Sequence, residues 1–452
     1  MTPLDELLGL LGGTLVTDPD VIEGYRRDRA LWASAGTPLA LVRPRATAEV
    51  QALARWATQH HIALVPRGAG SGVSGGASAL DGCVIVSFER MNRILELDPA
   101  AMLAVVQPGV LNAELKARAQ EAGLWYPPDP SSYEIASLGG NVATNAGGLC
   151  CVKYGVTGDY VLGLEAVLAS GEVVRTGGRC RKDVAGYDLT RLLVGSEGTL
   201  AMITEITLRL RRRPPPASTL IAIFDSLEAS GHAVAAIVRS VNASLLEIMD
   251  RACVRAVDQF ANLGLDTEAA ALLIAQSDAP GEVELSLMRE ACEGAGATLV
   301  HATTDADEGR QLLTARRLAF PAIERLGTVL LDDVAVPLPR LPEMFKRIEA
   351  IAAQSATFVA TVAHAGDGNI HPMIVFDAND AAAEARARVT FEALMNEALQ
   401  LGGTITGEHG VGSLKRDGLV RQLGPVSLEL QRGIKRAFDP DWILNPGKVL
   451  AR

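Results

Sequence analysis

The sequence predicts an α+β fold built as two or three core-sized units, and three observations carry that reading. Strand patterns around one clear amphipathic helix dominate residues 39–211, Pro214-Pro215-Pro216 interrupts the chain just beyond, and strand and helix patterns then alternate regularly to about residue 415. At roughly 150 residues per domain, the 452 residues supply about three such units, which need not be contiguous in sequence. A content of 48% hydrophobic and 21% charged residues excludes a disordered, collagen-like or coiled-coil chain.

In chain order, segments 39–42 and 62–65 read as strands flanking a helix. In that helix Val50, Leu53, Ala54 and Ala57 repeat at i, i+3, i+4 and i+7 behind Thr47 as candidate N-cap. Segment 83–87 is a further buried strand, and 165–169 and 172–175 flank Ser170-Gly171, a two-residue hairpin signal. A long strand follows, in which Ile206, Leu208 and Leu210 alternate with Thr207, Arg209 and Arg211, and the prolines end it. A domain boundary is therefore expected after residue 213. Beyond it, strands at 220–224 and 245–249 alternate with helices near 227–239 and 251–261, giving a second α/β unit over 214–415. Residues 428–436 read as a short helix leading to Asp439-Pro440 and Asn445-Pro446-Gly447-Lys448, and the segment 416–452 is expected to return to the first domain.

Charge and cysteine usage narrow the class. Lys and Arg number 42 against 53 Asp and Glu, and a net charge of −11 repels nucleic acid and anionic membranes alike. The six cysteines, at 83, 150, 151, 180, 253 and 292, contain no C-x-x-C, so neither a zinc ribbon nor an iron–sulfur cluster is encoded and a reducing compartment is suited. Asp5 and Glu6 stand where an export signal would be basic, and no run reaches about 18 apolar residues. The expectation is a cytoplasmic protein without a transmembrane segment, with peripheral docking at the inner face of the membrane left open.

Three glycine-rich runs stand out. Pro66-Arg67-Gly68-Ala69-Gly70-Ser71-Gly72-Val73-Ser74-Gly75-Gly76 formally contains G-x-G-x-x-G, yet the next strand starts within eight residues of Gly75, leaving no room for a Rossmann helix, and no Gly-Lys-Ser/Thr makes it a Walker A. What remains is a turn whose N–H groups can cradle a diphosphate, or a plain surface loop. The second run, Leu138-Gly139-Gly140-Asn141-Val142-Ala143-Thr144-Asn145-Ala146-Gly147-Gly148, follows Asp129-Pro130-Ser131 and offers small residues for close approach to a flat ligand. Gly195-Ser196-Glu197-Gly198-Thr199 is the third loop. The vicinal Cys150-Cys151 nearby is read as ordinary packing in preference to a strained redox pair.

With these runs the first 213 residues resemble the FAD-binding domain of the vanillyl-alcohol-oxidase (PCMH-type) flavoproteins, and the resemblance covers nearly the whole chain. It implies an α+β FAD domain, a ferredoxin-like antiparallel cap domain, and a C-terminal segment completing the first. It also implies that Pro66–Gly76 holds the FAD diphosphate, that Asp129-Pro130-Ser131 and Gly139–Gly148 line the flavin, that Glu197-Gly198 lies near the adenosine half, and that Asn445 reaches the flavin. Relatives with covalent flavin carry His where this chain has Ser71, so dissociable FAD is expected.

In the second unit, His364-Ala365-Gly366-Asp367-Gly368-Asn369-Ile370-His371 joins apolar strands at 357–363 and 372–376, so the turn can bring both imidazoles together; a hairpin with two structural histidines is the alternative. Gly407-Glu408-His409-Gly410-Val411-Gly412 adds a carboxylate beside an imidazole. Two histidines, one carboxylate and an open position form a catalytic ligand set for zinc or a similar divalent ion. These segments resemble the D-2-hydroxy-acid dehydrogenase branch of the family. By that resemblance His364, His371 and Glu408 are metal ligands for zinc, or manganese or iron, His409 is the general base, and Arg316 of Arg316-Arg317 binds the substrate. Neighbours on a helix point about 100° apart, so Arg317 is then solvated. Phe320, Leu331 or Asp332, and Met373 occupy positions where relatives acting on hydroxyglutarate carry further polar groups, which argues for a small monocarboxylate such as D-lactate or glycolate. The implied partners are that D-2-hydroxy acid and a separate electron acceptor, a quinone, cytochrome or electron-transfer protein, with a homodimer left open. An oxidase using oxygen and an accessory FAD-binding subunit are the alternatives, and the four residues His364, His371, Glu408 and His409 count against the second.

Overall fold

The computed structural model describes residues 2–30 and 32–451. The chain forms two compact units, one from residues 1–147, 156–213 and 408–452, the other from 148–155 and 214–407. Mixed helices and sheets give the expected α+β class.

In the first unit, strands Ala40–Val42 and Leu64–Arg67 both run parallel to Val84–Ser87, with Leu15–Val16 added antiparallel at the edge. Helix Thr47–His60 makes the crossover and buries Val50, Leu53, Ala54 and Ala57, the apolar repeat of the sequence. Its N-cap is Ala46, without a side-chain cap, and not Thr47, whose hydroxyl donates instead to Glu165 Oε1 at 2.8 Å. A second, five-stranded antiparallel sheet runs in the order Ile94–Asp98, Leu103–Val106, Met202–Arg209, Val161–Val167, Val173–Gly177. Its central strand Met202–Arg209 alternates as read, with Ile206 and Leu208 fully buried. The turn at Ser170-Gly171 is longer than the two-residue signal suggested. Leu168 and Glu172 still pair, and the left-handed Gly171 (φ 80°) closes a loop over residues 169–171.

The second glycine-rich run is not a loop. Leu138–Thr144 is a helix, started by the Ser137 hydroxyl, which accepts from the Gly140 N–H at 3.3 Å. Glycine has poor helix propensity, so the helix depends on this cap and on the packing of Gly139 against Pro108.

The C-terminal segment returns to the first unit. Helix Arg416–Phe438 kinks at Gly424-Pro425. The buried Lys435 then donates to the carbonyls of Thr199 (2.6 Å) and Leu444 (2.8 Å) and pairs with Asp439. Leu64 exchanges backbone hydrogen bonds with Ile443 and Asn445, extending the parallel sheet.

The second unit is one antiparallel sheet of eight strands. Its path is Leu299–Thr303, Ser218–Phe224, Ala271–Ser277, Leu245–Asp250, Phe358–His364, Asn369–Phe376 and Thr328–Leu331, and Val334–Ala335 pairs beside Asn369–Phe376. Helices Arg251–Ala261 and Ala306–Glu324 share a core with one face of it, through Val254, Val257, Ala319 and Ile323 against Met249, Ile274, Val362 and Met373. Among the described residues no helix is long and apolar enough to cross a membrane.

Candidate flavin and hydroxy-acid sites

The three flavin segments of the sequence reading are stitched together by polar side chains within the first unit. The loop after Leu64–Arg67 approaches the start of helix Leu138–Thr144 so closely that the Ser137 hydroxyl also accepts from the Ala69 N–H, at 3.1 Å. A Cβ on Gly68 would lie 2.4 Å from that hydroxyl. Gly70 is left-handed (φ 74°), and Arg67, three residues before it, is buried and donates to the Arg27 carbonyl at 2.8 Å. Asn112 joins the second segment to the helix, its amide donating to the Pro128 carbonyl (3.2 Å) and to Asn141 Oδ1 (3.0 Å). The third run docks on the same helix, because the N–H groups of Gly195 and Glu197 donate to the carbonyls of Val142 and Ala143. Asn445 closes the set by donating to the carbonyls of Gly76 and Glu197, both at 2.9 Å. Its Oδ1 is buried without a hydrogen-bond partner among the described residues, an acceptor that a flavin N–H can satisfy. Positive-φ glycines, a backbone cradle that side chains would fill and an orphaned acceptor together fit a large planar cofactor carrying a diphosphate. Of the flavin residues read from the sequence, Gly148 alone falls in the second unit.

Glu197 also has a role inside the protein that its loop motif did not disclose. Its carboxylate is buried and accepts from the N–H groups of Val411 (2.7 Å) and Gly412 (2.8 Å), so it fastens the loop carrying Glu408 and His409. Glu408 packs against Gly147, where a Cβ would come within 2.6 Å of its Oε2. Burial pushes the Glu197 carboxyl up to about 7, the two N–H donors only partly opposing it. A carboxyl whose folded pKa is raised binds its proton more tightly in the folded state, so stability is lost as pH rises. The window runs from the unperturbed 4.5 through about 7. Thermal unfolding of the flavin-loaded protein should therefore lose on the order of 3 kcal/mol across it from this group. Glu197→Gln should flatten that slope, and an unchanged slope would assign it to another group.

In the second unit both candidate imidazoles lie on strands, not in the turn between them. His371 pairs with Val362 and His364 with Asn369, which puts the two rings diagonally on one face, centroids 4.9 Å apart and nearly perpendicular. Both are buried. Glu247, directly across the sheet from His364, contacts its Nδ1 through Oε1 at 2.7 Å. Through Oε2 the same carboxylate accepts from Arg316 Nε at 2.7 Å. Arg316 is 6% exposed, while Arg317 faces solvent, as the helical geometry required. Asp333, also fully buried, accepts from the Asn369 amide (2.7 Å), the Thr406 hydroxyl (2.6 Å) and the Gly407 N–H (2.9 Å). One of its oxygens lies 3.7 Å from His371 Nδ1. Glu247, Asp333 and Ser137 were not singled out from the sequence. Glu247 did leave a signal, a charge in the middle of the otherwise apolar run Leu245-Leu246-Glu247-Ile248-Met249.

An FAD-type α+β unit with an antiparallel-sheet unit inserted in it is the architecture of the vanillyl-alcohol-oxidase-type flavoproteins. Residues 38–177 match the family model described as FAD binding domain, and residues 213–449 match that of the FAD linked oxidases, C-terminal domain. The chain belongs to the FAD-linked oxidases and is an FAD-linked oxidoreductase. It is 38% identical to glycolate oxidase subunit GlcD of Bacillus subtilis (strain 168), over 97% of this chain and 95% of that one. It is 35% identical to D-lactate dehydrogenase of Anaerostipes hadrus, over 95% and 93% of the two chains. Among solved structures, p-cresol methylhydroxylase with substrate bound superposes with a TM-score of 0.82 at 19% identity, covering 99% of this chain and 96% of that one, which shows the fold.

Proposed function

We propose that this protein oxidises a small D-2-hydroxy acid, of the D-lactate or glycolate kind, to the 2-oxo acid, with dissociable FAD and a divalent metal, zinc by ligand type. The observation that carries the reading is the buried row Glu247, His364, His371 with Arg316 set against it. An anionic substrate needs a fixed cation, and a metal needs neutral imidazoles held in one orientation. The relatives named for glycolate and D-lactate support the same class.

In this proposal His364, His371 and Glu408 hold the metal. When bound, the flavin supplies the acceptor for the C2 hydride and the metal the Lewis acid that lowers the pKa of the C2 hydroxyl. Arg316 holds the substrate carboxylate through its terminal nitrogens. His409 takes the hydroxyl proton at a ring nitrogen. The wall beyond His371 is apolar, with Met373 and Leu331 paired across strands and Phe320 in the same cluster. That surface suits a methyl group or hydrogen on C2 better than a second carboxylate. The acceptor to which a bound flavin would pass its two electrons is a quinone, a cytochrome or an electron-transfer protein.

The test is anaerobic reduction of the bound flavin by D-lactate, L-lactate and glycolate, before and after chelation. Bleaching by the D isomer and by glycolate, lost on chelation and restored by zinc or manganese, is the expected result. A flavin that none of these acids reduces would overturn the substrate class, and bleaching indifferent to chelation would overturn the metal.

A further inference from the structure

We propose that Glu247 is a positioning residue that couples the substrate clamp to the metal site: one buried carboxylate fixes the tautomer of His364 and the orientation of Arg316 together. The proposal rests on the roles given above to those two residues. Glu247 is fully buried on strand Leu245–Asp250, and the Arg316 and His364 contacts, both 2.7 Å, use one carboxylate oxygen each. Arg316 is a permanent cation, so Glu247 carries the charge that compensates it. An ionised carboxylate only accepts, which puts the His364 proton on Nδ1 and makes Nε2 the lone-pair nitrogen. Metal-binding histidines are oriented by this kind of carboxylate partner.

The same contact orders the arginine. Glu247 occupies Nε, so the two terminal nitrogens form the fork that meets a second carboxylate. A 2-hydroxy acid carries its carboxylate and hydroxyl on adjacent carbons. The cation binding the first and the imidazole that would hold the metal beside the second must then keep a fixed spacing, and a single carboxylate between them sets it. Glu247 reaches His364 from 117 residues away and Arg316 from 69, so the spacing is a property of the folded sheet and helix.

Glu247→Gln tests this in the full-length, flavin-loaded protein. A glutamine has one acceptor oxygen. If it keeps Arg316 Nε, its NH₂ faces His364 Nδ1 and forces the proton to Nε2. The expected results are zinc affinity lower by about 10–100-fold in chelator competition, a switch of His364 from the Nδ1–H to the Nε2–H form in nitrogen-15 histidine spectra, and unchanged FAD content. His364→Gln, which also assigns the resonance, is the control. If it leaves zinc affinity intact, the ligand reading itself fails. If it removes zinc binding while Glu247→Gln binds zinc within twofold of the parent and keeps Nδ1–H, the positioning role is overturned. Should Glu247→Gln not fold, the parent protein's spectrum decides, since a metal-free His364 protonated at Nε2 contradicts the proposal directly.

Discussion

Replacing His409 with Asn is expected to slow flavin reduction by the D-2-hydroxy acid about 10²–10⁴-fold, the usual contribution of a positioned general base, while FAD stays bound. The imidazole sits on a loop held at its far end by Glu197 and by the Ser74 carbonyl, which accepts from the N–H groups of Ser413 (3.1 Å) and Leu414 (3.2 Å). It is therefore fixed in place by contacts that the Asn variant keeps. Its side chain is partly exposed. Asn keeps the polarity and much of the volume but cannot take the proton. Stopped-flow reduction over a range of substrate concentrations separates the two effects. The limiting rate should fall while the apparent substrate dissociation constant changes little, because the proposal gives the substrate carboxylate to Arg316. A limiting rate within threefold of the parent would move the base elsewhere.

What the sequence disclosed and what it concealed follow from the range of the interactions. Helix Thr47–His60, strand Met202–Arg209 and the strands Phe358–His364 and Asn369–Phe376 were legible because each buries one face with a local period. The glycine-rich helix Leu138–Thr144 was not, since its support comes from Pro108 and from a cap whose second partner, Ala69, is 68 residues away. The histidine pair was legible as a hairpin motif. The partners of that pair, Glu247 and Asp333, were not, because strand register brings Glu247 to it and the link between the strands Thr328–Leu331 and Val334–Ala335 brings Asp333. The segment 148–155 belongs with residues 214–407 for the same reason: no local pattern marks a short stretch that packs with a distant part of the chain. Arg316 and Arg317 show the intermediate case, in which helical geometry says that only one can face inward and the fold decides which.

Gly68→Ala is expected to weaken FAD binding about 10–100-fold, and the reason lies in one hydroxyl. Ser137 Oγ accepts from both Ala69 and Gly140, so it joins the loop after Leu64–Arg67 to the start of helix Leu138–Thr144. A methyl at residue 68 would stand 2.4 Å from that oxygen and 3.3 Å from the Gly140 nitrogen. Neither the capped serine nor the backbone behind it can yield without parting the two elements. Overpacking of this kind costs about 1–3 kcal/mol, and at about 1.4 kcal/mol per tenfold it falls on the geometry that the flavin requires. Ser137→Ala alone loses the cap and should weaken binding less. The double variant removes the oxygen that the new methyl strikes, so the two effects should be less than additive. Gly433→Ala, at a position with no atom within 4 Å of the added methyl, is the control and should bind FAD as the parent does. Titration of the apoprotein with FAD by flavin fluorescence measures all four. If Gly68→Ala binds like the control, the close approach of these elements does not form the diphosphate cradle, and the FAD contacts assigned to Pro66–Gly76 must be reassigned.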